Sequence, residues 1–144
     1  MSLLNYTTKI DPDKTAQEIA KILSIHGAKA VLTEYDEKEG TVTAICFRIK
    51  VIDQDVVFRL PSDWRPVFKI LEADQDIPRA NRTKDQAVRT AWRIVKDWVE
   101  AQMALVETQM VTTQQVFLPY AVTKDGKTLY EKMIDNRFLL NDGE

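Results

Sequence analysis

The sequence predicts an α+β fold: a three- or four-stranded antiparallel sheet packed against helices, with one long helix in the C-terminal half. Three observations predict it. Apolar residues recur at helical spacing between Pro12 and His26, the period changes to two from Lys29 to Leu60, and an apolar helical pattern returns unbroken from Thr83 to about Val106. At 144 residues with 44% hydrophobic and 29% charged residues, the chain is long enough for one full core without disulfides. Residues 4–143 are expected to form a single domain, with residues 1–3 and 144 reading as vector-derived.

The first helix opens at Asp11-Pro12, a capping carboxylate followed by proline at the first helical position, and closes at Gly27. Its apolar stripe is Ala16, Ile19, Ala20 and Leu23. Strands follow near Ala30–Tyr35, Thr41–Ile52 and Asp55–Leu60, joined by the polar run 36–40 and by a tight turn at Asp53-Gln54. That turn would place Ile49 opposite Phe58, Val51 opposite Val56 and Phe47 opposite Leu60, giving the hairpin one continuous apolar face. Tyr6–Ile10 is a candidate fourth, edge strand.

Ser62 or Asp63 caps a short helix through Trp64, Val67, Phe68 and Leu71, followed by a loop from Asp74 to Asn81. Thr83 and Gln86 form a capping-box pattern at the head of the long helix. Its apolar residues cover an arc of about 200°, wider than one sheet face needs. Such a helix is covered on two sides, the second by the C-terminal segment or by another copy of the chain. Thr112 or Thr113 starts a short helix ending near Pro119. A turn at 124–127 precedes a second capping-box pattern, Thr128 with Glu131, which opens a last helix through Leu129, Met133, Ile134 and Phe138.

Few residues offer chemistry. His26 is the only histidine and falls at a helix C-terminus, where a charged imidazole is stabilised. Cys46 is the only cysteine and lies in a strand, where burial makes a thiol inert. These two cannot build a zinc site, and the four glycines form no phosphate-binding loop. No cofactor, no metal and no enzymatic activity are expected. A lone cysteine, no secretory leader and no membrane-spanning run point to a cytoplasmic protein that does not enter the membrane.

Two basic sets are the candidate anion-binding residues. The first is Arg79, Arg82, Lys84, Arg89 and Arg93, within a stretch from Ile77 to Lys96 that carries a net +5 although the whole chain carries −2. Arg82 and Lys84 stand at the head of a helix, where the dipole disfavours cations, so stability alone would not choose them. A phosphate shared by that helix end and the arginines is the functional reading. A solvated face with Arg93–Asp97 and Lys96–Glu100 pairs four residues apart is the plainer one. The second set is Arg48, Lys50 and Arg59 on the non-core face of the sheet, where the expected register opposes Arg48 to Arg59. Trp92, Trp98 and Gln102 are candidate oligomer-interface residues: the tryptophans lie on opposite sides of the wide arc, and Gln102 is polar within it.

The words Ala91-Trp92-Arg93-Ile94-Val95-Lys96-Asp97-Trp98-Val99-Glu100-Ala101-Gln102, Val116-Phe117-Leu118-Pro119-Tyr120 and Asp125-Gly126-Lys127-Thr128-Leu129-Tyr130 resemble a family of small uncharacterised proteins of phage, prophage and other bacterial mobile elements. The resemblance implies a binding role, whether toward nucleic acid, a host protein or further copies of the chain, and carries over no site residue. The helix, three strands, helix order is also similar to that of double-stranded RNA-binding domains. The chain departs from these by the extra helix after Leu60, by Asp85 in the basic run and by lacking a Gly-Pro-x-His loop.

Overall fold

In the computed structural model, which describes residues 2–137, the order is α1 (Pro12–Ile25), β1 (Ala30–Tyr35), β2 (Val42–Val51), β3 (Gln54–Arg59), α2 (Trp64–Ala73), α3 (Lys84–Glu107), α4 (Thr113–Phe117) and α5 (Leu129–Asp135). The expected end of the last helix at Phe138 lies outside the described residues. The fold is α+β, and the strands form one antiparallel sheet in the order β1-β2-β3. Tyr6–Ile10 is not a strand. Side chains of α3 take two of its carbonyls and that of the preceding Asn5: the Gln86 amide donates to Tyr6 O and Thr8 O, both at 2.8 Å, and Thr90 donates to Asn5 O at 3.1 Å.

The caps follow from the side chains that can reach free backbone N–H groups. Asp11 accepts from the Asp13 N–H at 2.8 Å, and Asp63 caps α2. Thr128 and Glu131 close a reciprocal capping box, as do Thr112 and Gln115. At α3 only half of the expected box forms. Thr83 accepts from the Gln86 N–H, but the Gln86 side chain is drawn away to the carbonyls of residues 6 and 8.

The β2–β3 turn differs from the expected one. Its two loop residues are Ile52 and Asp53, so Phe47 faces Phe58, Ile49 faces Val56, Arg48 faces Val57 and Cys46 faces Arg59. The slip of two in register preserves side-chain parity, so the same apolar face still points inward. It removes the predicted opposition of Arg48 and Arg59 and sets Lys50 against Asp55 instead.

The inner face of the sheet, α1 and α3 share one core. Phe47 stacks on Phe58 with ring centroids 5.2 Å apart, and Phe117 meets Phe47 edge-on at 5.2 Å. Ile19, Leu23, Ile45, Val99 and Phe117 are fully buried there. Beneath α2 a second cluster gathers Leu71, Ile77 and Ala87, so α3 is flanked by both α1 and α2. Of its wide arc, the long helix buries Ala87, Val88, Ala91, Trp92, Val95 and Val99 within the chain, while Ile94, Trp98, Leu105 and Val106 are half-buried and Ala101 is exposed.

Candidate binding face

The basic set around α3 is largely committed to the fold. Arg82 donates from Nε to Ile77 O at 2.9 Å and from Nη2 to Gln75 O at 3.3 Å, holding the loop before the helix. Lys84 meets both Glu39 oxygens at 3.0 Å and lies 4.9 Å from the centre of the Trp64 ring, a cation–π contact. Arg89 donates to Gln86 Oε1 at 2.7 Å. Arg93 reaches not to Asp97 but across to α1, bonding Glu18 at 3.1 Å and Thr15 at 3.3 Å, with only 12% of its side chain exposed. Lys96 does pair with Glu100, at 3.2 Å. Arg79, in the 3₁₀ turn before α3, is exposed and has no such partner among the described residues.

The sheet set is placed differently. The outer face presents Ala30, Leu32 and Glu34 from β1, Ala44, Cys46, Arg48 and Lys50 from β2, and Asp55, Val57 and Arg59 from β3. None of the described helices covers it: Leu32 is 60% exposed and Val57 39%, although both are large and apolar. Between them Cys46 is buried, at the floor of a shallow groove of about 180 Å³ that Ala30, Leu32, Arg48 and Val57 also line. Lys29 reaches over this face to Asp55 at 3.8 Å, and Arg48 shares the same carboxylate at 4.0 Å. Arg59 makes no side-chain hydrogen bond among the described residues, but its charge acts on the Glu131 carboxylate of α5 and helps hold it below its ordinary range. Four cations and two acids therefore rim an apolar centre. Sequence reasoning found Arg48, Lys50 and Arg59 and missed Leu32, Val57 and Lys29. The available signal was an apolar residue at outward parity in each edge strand.

Another cleft, of about 230 Å³, lies between the β1–β2 loop and the head of α3, and includes Asp36, Asp63, Lys84, Trp64 and Trp92. Backbone N–H bonds from Glu39 and Lys38 hold the Asp36 carboxyl below its ordinary range, and the Arg65 guanidinium does the same for Asp63. Both acids are held as ionised acceptors, unsuited to exchanging protons near neutrality. His26 caps α1, its Nδ1 at 2.8 Å from Ile22 O, which accepts. Among the described residues no group of three His, Cys, Asp or Glu side chains could hold a metal ion, and no helix is long and apolar enough to cross a membrane.

Trp92 and Trp98 do face different neighbours. Trp92 is 3% exposed and donates to Val42 O at 3.2 Å, whereas Trp98 packs edge-on against Phe117 and Tyr120 at 5.3 and 5.6 Å. Gln102 is half-buried and makes no side-chain hydrogen bond among the described residues. The buried polar anchor of α3 is Gln86, 3% exposed, with its amide nitrogen and oxygen both engaged. Comparison with protein-family models, with curated proteins and with solved structures finds no match to this chain.

Proposed function

We propose that the protein is a non-enzymatic interaction module of the cytoplasm whose outer sheet face holds an acidic surface of a protein partner. The observation that carries this reading is the uncovered apolar centre of that face, Leu32 and Val57 over Cys46, with Lys29, Arg48, Lys50 and Arg59 around it. An apolar patch rimmed by charge is the composition of a protein interface: the centre supplies affinity, and the rim selects the sign of the partner. A role as an accessory protein of phage or another mobile element, acting on a host protein, fits such a face.

A second reading is polyanion binding, favoured by the four cations on one face, two of which share the single carboxylate of Asp55. Against it, none of the outward-facing residues of the three strands is aromatic, so the strands offer no ring on which to stack bases. The two readings separate by salt. A nucleic-acid complex weakens with a logarithmic slope of about −0.7 to −0.9 per phosphate contacted.

The test is affinity capture from a bacterial lysate with the wild type and three variants. A partner held by the wild type and by Arg79→Glu, but lost by Val57→Asp and by Arg59→Glu, is the expected result. Retention by all three variants would remove the outer face from consideration. Oligonucleotide titration at low salt decides the second reading, which fails if no binding is detected.

A further inference from the structure

The two edges of the sheet are treated unequally. Along β3 the free edge is occupied: Ala121 bridges Phe58, and Val122 donates to Val57 O at 2.7 Å. Along β1 nothing among the described residues pairs with the edge away from β2. That strand, Ala-Val-Leu-Thr-Glu-Tyr, has no proline and no lysine within it, and Leu32 and Tyr35 are 60% and 53% exposed. Proteins ordinarily blunt such an edge with prolines, lysines or cover, because its unpaired N–H and C=O groups template another strand.

We infer that β1 pairs antiparallel with β1 of a second copy, joining two three-stranded sheets into one of six strands. Charge complementarity selects this occupant. A two-fold axis perpendicular to the sheet keeps each copy's outer face on the same side, so directly opposed residues must share parity. Centring the axis on Leu32 opposes Leu32 to its own copy and Glu34 to Ala30. Ala30 is itself the β2 neighbour of Arg48. Each Glu34 then points toward the other copy's Arg48 across two strand spacings, roughly 10 Å between backbones, a gap these two side chains can close. The contact occurs twice by symmetry. Arg48 can supply it, since within the chain it meets only Asp55 at 4.0 Å. Packing two outer faces directly on each other would instead oppose like charges, because four cations outnumber two acids there.

This inference does not rest on the interaction reading above: it concerns the edge of the sheet, and its failure would leave the face as described. The test is sedimentation equilibrium over the micromolar range. The wild type should be a dimer, Glu34→Arg and Arg48→Glu should each weaken it about tenfold or more, and the double reversal should restore it. In a Cys46→Ala background, Leu32→Cys should oxidise to a covalent dimer, because directly opposed residues lie within disulfide reach, while Val57→Cys should not. A wild type that stays monomeric throughout, or a dimer indifferent to both single reversals, would overturn the pairing and leave the edge to a strand from another protein.

Discussion

The two faces of one small sheet have been put to different uses. On the inner face and the helices behind it, aromatic rings interlock and charges find intramolecular partners, Arg93 with Glu18 and Lys84 with Glu39. On the outer face Leu32 and Val57 stand in solvent, and Lys29 and Arg48 share the single carboxylate of Asp55 at 3.8 and 4.0 Å. Cations of equal formal charge therefore differ in meaning according to what has already claimed them. A tally of basic residues along the chain cannot see this.

The contrast is sharpest where side chains are removed. Phe117→Ala, at a fully buried position touching Phe47 and Trp98, should cost about 3–5 kcal/mol in denaturant unfolding, whereas Leu32→Ala should stay within about 0.5 kcal/mol. A large loss at Leu32 would show that the outer face also belongs to the core. Charges come next. Arg93→Ala should destabilise by about 2 kcal/mol, since it strips Glu18 and Thr15 of a nearly buried donor, while Arg59→Ala should leave the unfolding midpoint within about 0.5 kcal/mol of wild type.

One change should add stability. Ile52, 86% exposed at the tip of the β2–β3 hairpin, holds φ at 58°, a region costly for a β-branched residue. Ile52→Gly should raise stability by about 1 kcal/mol in the same measurement, and no gain would mean the backbone there carries no strain.

The smallest effect is acid sensitivity. Asp36 is held below its ordinary range by backbone N–H groups of Glu39 and Lys38, Asp63 by Arg65, Asp125 by Thr123 and Lys132, and Glu131 by Thr128. A carboxylate depressed in the folded state contributes stability above its unfolded pKa and loses it as pH falls through the folded value. The melting temperature should therefore be level near neutrality and decline slightly below about pH 4. Because all four groups are solvent-screened, a steep decline would point to other acids.

Much of the fold was legible because its signals are local. Strand and helix limits follow from periodicity, and Asp11, Thr128 and Glu131 act within a turn of their own residues. The hairpin register was not legible. Asp53-Gln54 has the polarity of a turn, yet the loop takes Ile52-Asp53 and places isoleucine at positive φ, against its intrinsic preference. The candidate site was legible only in part, because the fate of each cation depends on residues far along the chain. Lys84 meets Glu39 across 45 positions and Arg93 meets Glu18 across 75. Helical spacing offered Asp97 to Arg93, but Asp97 instead accepts from Asn5 at 2.8 Å.

The anchoring of residues 5–8 by Gln86 and Thr90 bears on the order in which the molecule is assembled during synthesis. Those carbonyls emerge from the ribosome early, but their donors follow 78 to 85 positions later. Until the first turns of α3 exist, the carbonyls of the segment ahead of α1 lack these donors, so it should dock after the sheet and α1 have formed. Its amide hydrogens should exchange at rates set by the detachment of that strip alone, ahead of the global opening that releases β2.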